Sequence, residues 1–558
     1  MSVPRVRAGL FAVALTLAFL AMGLLTVQAA DESNTMDTEP YLSAAIGIAE
    51  GGGALRWLGD MFGGRWLETD QNPIFHLLLS LVARRDLAFF PEAKLITLAT
   101  GWLALLAFFL LVRHRRGELC ASVAALLLLF NANFIRLSSV VTAEPLLLLW
   151  VLLTWYSVAE GFARRHMWSF AGLFVGLAFL TKGSGLLLIP SSLGAICLGS
   201  RFSAFRSPHF WGFFIVLSFV GSPLFIRNTV AFGSPIYNFN NNSLWADVWD
   251  RDAIQESPVS FSQYTATHSW SDVSARIKTG TQEQAGNLHR VLNNTILPFN
   301  AAAVLNDTQP GTVFSFLLAI LAATGAVFDT QGRKTFLWIG IHTLLFYALF
   351  SWVHQILGDP RFLLPIVPFI YLYAAVVIAG ILQPLDNRAP GAIVVLLSVT
   401  LVAYATHLFW IHDYEDPRLS FRLDDNQEEL LSFLEESVGR DEIYLLDNIM
   451  WNDDFSNKQT SYHFRWFARI GGTGLNELPD VHSPEAFERY VKESDIDLLM
   501  IIRNNLEEHG DYLGRWLAWC PSTGIEVVAP IPGWCEIERD PEPPVSWIGF
   551  RRAMEAPD

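Results

Sequence analysis

AGLFAVALTLAFLAMGLLTVQAADESNTMDTEPYLSAA, residues 8 to 45, is an apolar run followed within a few residues by two acids, Asp37 and Glu39. The run from Ala8 to Ala30 is long enough to cross about 30 Å of hydrocarbon. Arg5 and Arg7 precede it, which puts the N-terminus in the cytoplasm. The h-region of a cleaved signal peptide is shorter than this, so "VQAA" reads as the end of an uncleaved helix. Charge is costly beside a hydrocarbon boundary, so Asp37 and Glu39 call for a reason.

The rest of the chain repeats the pattern. Of its 558 residues 52% are hydrophobic and only 16% charged, and the mean hydropathy is +0.33, values of an integral membrane protein. Further apolar segments fall at 92–112, 117–136, 143–160, 168–181, 184–199, 209–228, 312–329, 335–353, 362–383 and 391–411, making about eleven spans with the first. On that count the basic loops "RHRRGE", "ARRH", "SRFSAFRS", "GRK" and "DNR" all face the cytoplasm. The long segments 31–91 and 229–311 become outer loops, and the C-terminal domain is periplasmic or extracellular. Within the first loop, "NPIFHLLLSLVARRDLAFF" is too short and too basic at its end to span, and reads as a helix along the interface.

The predicted architecture is therefore a polytopic α-helical membrane domain over 1–411 and a soluble α/β domain over 412–558. In the latter, helix-period stretches ("NQEELLSFLEES", "SPEAFERYVKES") alternate with strand-like runs ("EIYLLDN", "IDLLMII"). "RIGGTGLNELP" lacks a Walker lysine and reads as a plain turn. Of the 54 acids 31 lie after Ile411, with 13 of the 38 bases, so the tail carries a net charge of −18 while the whole chain carries −16. Such acidity argues against nucleic acid or anionic lipid as the tail's partner. Cys520 and Cys535 flank a Pro/Gly segment there and suit a disulfide in an oxidising compartment, whereas Cys120 and Cys197 sit in apolar runs as small hydrophobes.

Polar residues at the outer ends of later spans join the two acids. Glu144 opens the fourth span in "SSVVTAEPLLLLW", Lys182 lies between the fifth and sixth in "GLAFLTKGSGLLLIP", and Arg361 starts the tenth in "GDPRFLLPIVP". Each has an ordinary structural reading: helix caps for Asp37 and Glu144, snorkelling for Lys182, pairing with Asp359 for Arg361. Together they place acids and bases on one membrane face, the content of a site for a lipid phosphate and a polar acceptor.

In order and spacing, "MDTEPYL", "NPIFHLLLSL", "SSVVTAEPLLLLWVLLTWY", "GLAFLTKGSGLLLIP", "RNTVAFGSPIYNF" and "DPRFLLPIVPFIYLYAA" resemble the C-type (GT-C) membrane glycosyltransferases. The protein O-mannosyltransferase and lipid A aminoarabinose transferase group is the nearest. The similarity covers roughly residues 8 to 411. It implies a polyprenyl-phosphate-linked sugar donor and an inverting transfer at the outer face of the plasma (inner) membrane. The acceptor carries a hydroxyl and is a glycolipid, a polysaccharide or a protein, with cell-envelope glycan preferred. By position, Asp37 matches the first-loop acid expected as general base, Glu144 a second acid that is more often Asp, and Lys182 and Arg361 the bases facing the lipid phosphate. The usual adjacent Asp-Glu pair is split here as "DTE", leaving either Asp37 or Glu39 as base, and the expected Pro-Pro is Asn72-Pro73. No nucleotide or other cofactor is implied. His76, His268, His354 and the pair His412 and Glu415 lack zinc-site spacing, so no metal is predicted, although Asp37 and Glu144 would suit a bridging divalent ion. A transporter or lipid-linked sugar flippase is the rival reading. "NNS", "NNT" and "NDT" in the second outer loop match the glycosylation pattern. Trp245, Trp249, Tyr264 and Trp270 in the same loop suit sugar stacking or interfacial anchoring.

Overall fold

The computed structural model describes residues 3–29, 38–69, 71–84, 89–248, 254, 259–294, 313–329, 333–355 and 358–412, and five strands beyond them. The chain divides into a helical unit (Met1–Ala30, Pro40–Arg84 and Phe90–Ser420) and a second unit that contains Phe421–Asp558. The helices, in chain order, are α1 (Val3–Ala29), α2 (Thr38–Glu50), α3 (Gly53–Phe62), α4 (Pro73–Leu79), α5 (Phe89–Arg116), α6 (Glu118–Leu129), α7 (Ala132–Ser139), α8 (Glu144–Gly161), α9 (Met167–Thr181), α10 (Leu188–Gly199), α11 (Pro208–Phe232), α12 (Phe239–Asn242), α13 (Phe261–Thr267), α14 (Trp270–Asn293), α15 (Val313–Phe328), α16 (Arg333–Trp352), α17 (Val367–Arg388) and α18 (Ala392–Ile411).

All eleven apolar segments are helical where described, but they are not eleven equal spans. Among the described residues six helices are long and apolar enough to cross a membrane alone, namely α1, α5, α11, α16, α17 and α18, and α7 with α8 forms a further candidate bent by 118°. α6, α9, Gly183–Gly199 and Phe314–Phe328 are apolar but shorter. The segment at 117–136 is interrupted because Asn131 starts a new helix: its side chain accepts from the Phe134 N–H at 2.9 Å. The same amide donates to the Val291 carbonyl at 2.7 Å and the Tyr371 hydroxyl at 2.8 Å, so the break is anchored to α14 and α17.

Small residues let the helix backbones approach closely. A Cβ on Gly172 of α9 would lie 2.2 Å from the Phe213 carbonyl oxygen of α11, and one on Gly325 of α15 would lie 2.0 Å from that of Tyr373 in α17. The bundle has two unlike ends. At one end Arg115 donates to Glu160 at 2.6 Å and to Thr335 at 2.9 Å, and Arg116 pairs with Asp329. Glu144 begins the helix that Glu160 nearly ends, so the two acids are about 24 Å apart along α8.

Two segments depart from the sequence-based expectation. In the stretch read as an interfacial helix over 72–90, the described residues form α4 over Pro73–Leu79, a turn after it and the start of α5 at Phe89, and Pro73, Phe75, His76 and Leu79 are buried. α4 is packed into the protein because Asn72 at its head donates to the Phe179 carbonyl of α9. In the second unit the strands are β1 (Ile443–Leu446), β2 (Thr473–Leu475), β3 (Leu498–Ile502), β4 (Trp534–Arg539) and β5 (Trp547–Arg552). They form one mixed sheet in the order β2-β1-β3-β5-β4, parallel at β1–β2 and β1–β3 and antiparallel at β3–β5 and β4–β5. β1 and β3 fall on the two expected strand runs. β2 lies inside "RIGGTGLNELP", so part of the stretch read as a turn pairs as an edge strand. The two expected tail helices, Glu415 and Cys520 lie outside the described residues.

Gly172→Val should push α9 off α11 and lower stability by about 1–3 kcal/mol, the usual cost of overpacking, read as a reduced unfolding temperature in detergent.

Candidate functional site

The site is assembled from helix ends. α9 stops at Thr181, whose hydroxyl donates to the Leu177 carbonyl at 2.8 Å and receives the Trp150 indole N–H of α8 at 3.0 Å. Lys182 then turns extended, with φ −156° and ψ 145°. The 3-10 turn Gly183–Leu187 folds back so closely that a Cβ on Gly185 would lie 2.4 Å from the Ala178 carbonyl. The glycines of "TKGSG" therefore hold Lys182 at the rim of the bundle.

Glu144 is the first residue of α8, where the positive end of the helix dipole suits a carboxylate. Its side chain is only 2% exposed. Lys182 Nζ donates to its Oε1 at 2.5 Å, the Arg361 Nε lies 3.7 Å from the same oxygen, and the Thr142 hydroxyl donates to Oε2. Arg361 is carried by a 3-10 turn, Pro360–Leu363, capped by Asp359, which accepts from the Arg361 N–H at 2.7 Å. The expected Arg361–Asp359 pairing is also present at 3.5 Å, with Asp359 half exposed. The Phe362 ring lies 5.0 Å from Lys182 Nζ and 4.9 Å from the Arg361 guanidinium, and is stacked on Phe350 at 4.8 Å. Asn287 of α14 holds the approach to this turn through the Gly358 carbonyl at 2.7 Å.

Three of the five sequence-picked residues therefore meet at one point. Asp37 lies outside the described residues, and Glu39 is in the first turn of α2 with its side chain likewise outside them. Lys182 and Arg361 converge on buried Glu144, and half-exposed Asp359 balances the second cation, so the four side chains sum to zero with both cations at helix ends. Both Glu144 oxygens are engaged, Oε1 by the two cations and Oε2 by Thr142. Among the described residues no three His, Cys, Asp or Glu side chains group as metal ligands would.

A stitched framework surrounds the cluster, built largely from "RNTVAFGSPIYNF". Buried Arg227 donates to the carbonyls of Glu68 and of Trp66, the latter at 3.4 Å. Asn228 donates to those of Pro235 at 3.2 Å and Tyr237 at 2.8 Å. Asn238 donates to Asn72 at 3.2 Å, and Asn72 to the end of α9, three residues before Lys182. Asn72, where Pro was expected, thus ties the 31–91 segment to the end of α9 beside Lys182.

Sequence reasoning passed over two buried cations. Lys94 of α5 is 4% exposed with its Nζ 4.4 Å from the Phe90 ring. Its signal was an ionisable residue inside a predicted span. Arg276 is 5% exposed and donates to the Trp352 carbonyl at 2.9 Å, Asp247 at 3.1 Å and the Ala246 carbonyl at 3.0 Å. It sits 4.5 Å from the Trp352 ring and 5.4 Å from that of Tyr264. Tyr264 is buried and stacked on His268 at 4.0 Å, so it builds the core of the 229–311 segment and is not open to stacking on a sugar. Trp270 is exposed, and Trp249 lies outside the described residues.

Residues 76–226 match the family model described as dolichyl-phosphate-mannose-protein mannosyltransferase. Glu144 and Lys182 fall within that match; Asp37 and Arg361 do not. No curated protein matches the chain by sequence. In structure the chain is similar to ArnT from Cupriavidus metallidurans bound to undecaprenyl phosphate, at 12% identity and a TM-score of 0.51, covering 98% of each chain. The apo oligosaccharyltransferase of Archaeoglobus fulgidus is matched at 14% identity and a TM-score of 0.49, over 89% of this chain and 69% of that one. The resemblance to C-type membrane glycosyltransferases read in the sequence holds in the matched residues and in the fold.

Lys182→Met should leave the Glu144 carboxylate undercompensated and cost about 3 kcal/mol, whereas Glu144→Gln with Lys182→Met should cost less than the sum of the single changes in detergent unfolding. A second expectation concerns His76, on α4, which is too short to span. Burial pushes its imidazole from 6.5 down to about 3, and its Nε2 lies 3.0 Å from the Gln71 side-chain oxygen. The unfolded chain binds the proton more readily, so His76 leaves stability untouched above pH 6.5 and lowers it as pH falls from there toward 3. The slope reaches up to about 1.4 kcal/mol per pH unit, and His76→Phe should flatten it in unfolding followed against pH.

Proposed function

We propose that this multi-pass membrane protein of the C-type glycosyltransferase fold moves a sugar from a polyprenyl-phosphate-linked donor to a hydroxyl acceptor at the outer face of the plasma (inner) membrane. The observation that carries the reading is the convergence of Lys182 and Arg361 on buried Glu144 at one end of the bundle. A lipid phosphate whose tail lies in the bilayer meets a protein at that depth. The ArnT relative is described with undecaprenyl phosphate bound, which is the same chemical class of ligand.

In this mechanism Lys182 and Arg361 bind the donor phosphate and neutralise the charge that grows on its bridging oxygen as the anomeric C–O bond breaks. Glu144 holds the two cations in place from below. The acceptor hydroxyl attacks the anomeric carbon on the face opposite the phosphate, forming the new C–O bond and inverting the configuration. Its proton passes to a first-loop carboxylate, Asp37, with Glu39 positioning the acceptor; the polyprenyl phosphate leaves with the bonding electrons. The acidic tail and the second outer loop, which differ in kind from the span-end residues, select the acceptor, a cell-envelope glycan or glycolipid. A flippase would place its charges along a path through mid-depth, whereas Glu144, Lys182 and Arg361 all sit at helix ends.

Membranes carrying the chain, supplied with polyprenyl-phosphate sugars, should release free polyprenyl phosphate. Asp37→Asn should lower that release by about 10²–10⁴-fold. Lys182→Met and Arg361→Met should each lower it by about 10²-fold or more. Equal release by wild type and Asp37→Asn would remove Asp37 as the base and leave Glu39.

A further inference from the structure

The end of the bundle opposite Glu144 carries a surface that the proposed transfer does not use. The connections α8–α9 and α10–α11 meet there: the His166 and His209 rings lie 6.4 Å apart, and Lys334 of α16 sits over the Phe162 ring at 5.1 Å. Arg164, Arg165, Arg201 and Arg206 are all exposed on these connections. No acid occurs anywhere from Gly161 to Ala246, and the nearest one before that stretch, Glu160, is taken up by Arg115. Among the described residues Arg164, Arg165, Arg201 and Arg206 form no ion pair with an acid.

Aromatic rings are interleaved with these arginines. Phe202 is 59% exposed, Phe205 47% and Trp211 54%. The rings of Phe202 and Phe205 are stacked at 6.2 Å with planes 8° apart, and the Trp211 indole N–H donates to the Phe205 carbonyl at 3.1 Å. The turn that presents them is strained: Arg201 (φ 50°) and Phe202 (φ 63°) are the only non-glycine residues with positive φ among the described residues. A bulky residue in the left-handed region persists only where the surroundings hold it there. Here Arg201 and Phe202, neighbours in the chain, are both exposed at the turn. In water alone an exposed aromatic pair in a strained turn is unfavourable. At a bilayer interface, rings sit at headgroup depth and guanidinium groups reach the phosphates.

We propose that this surface binds the anionic phospholipid headgroups of the leaflet it faces, with Arg164, Arg165, Arg201 and Arg206 engaging the phosphates and Phe202 and Phe205 entering beside the upper acyl chains. The charge complementarity selects an anionic over a zwitterionic headgroup, and the apolar pair selects a lipid over a soluble polyanion. The inference is independent of the transfer chemistry, since none of these residues belongs to the Glu144 cluster.

The test uses the full chain purified in detergent and incubated with an equal mixture of phosphatidylglycerol and phosphatidylcholine, the retained lipid being identified by mass spectrometry after gel filtration. Wild type should retain phosphatidylglycerol preferentially, by about fivefold for each arginine engaged. Added salt should weaken the preference. R164Q/R165Q/R201Q/R206Q should bring retention of the two lipids to parity, and F202S/F205S should reduce retention of both, with unchanged elution volume in each case. Equal retention of both lipids by wild type, or an unaltered preference in the arginine variant, overturns the proposal. Capture of inorganic polyphosphate in place of phosphatidylglycerol overturns it equally and points to a soluble polyanion.

Discussion

A carboxylate taken almost wholly out of water has to be compensated, and the way Glu144 is compensated sets the design of this bundle. Two cations reach it from different helix ends, and a hydroxyl from the adjacent break takes its second oxygen. In a low-dielectric setting one cation per carboxylate is the minimum for burial; here the second cation, Arg361, is shared between Glu144 and half-exposed Asp359. The positions of the α7–α8 bend, the "TKGSG" reversal and the Asp359-capped turn all follow from bringing these three side chains to one point.

The surroundings are built to keep the point still. Asn72 takes a carbonyl near the end of α9, Arg227 those of Trp66 and Glu68, and Asn228 those of Pro235 and Tyr237 just beyond α11, while Asn238 holds the Asn72 side chain. These are amide and guanidinium donors with several N–H groups each, suited to irregular backbone where no helix ladder exists. In the second outer loop Arg276 performs the same service for Ala246, Asp247 and Trp352, and the aromatic rings around it form a core in place of an open stacking surface. Rigid span ends and a stitched outer face suit a reaction in which a phosphate and a hydroxyl must be held in line.

Much of this was legible in the chain. Hydropathy located the apolar runs that are helical where described, because burial in hydrocarbon demands long runs without charge, but of the expected eleven spans six are span-length helices among the described residues. The residue types at the span ends pointed to Glu144, Lys182 and Arg361 because ionisable groups there are costly. The resemblance of "NPIFHLLLSL" through "RNTVAFGSPIYNF" to known transferases named the fold. What failed had identifiable causes. The stretch 117–136 read as one span since Asn131 looks like a single polar residue in an apolar run, and only its bonds to Phe134, Val291 and Tyr371 make it a cap. The "RIGGTGLNELP" stretch read as a turn because glycine is rare in strands, yet β1 offers Thr473–Leu475 a parallel edge to pair with. Lys94 was legible as an ionisable residue inside an apolar run and was passed over, whereas Arg276, in a polar segment, carries no sign in the sequence of the rings and carbonyls that surround it.

By itself the sequence determined that the chain is a membrane protein with apolar helices, an acidic tail and charged groups at the ends of its spans, since these depend on composition and on period along one segment. Only the tertiary structure decided that Lys182 and Arg361 share one carboxylate, that Asn72 anchors α4 to α9, and that Tyr264 is buried. Those outcomes depend on which distant segments occupy the same volume, and a one-dimensional pattern of hydrophobicity and charge does not contain the distances on which hydrogen bonds and ion pairs depend.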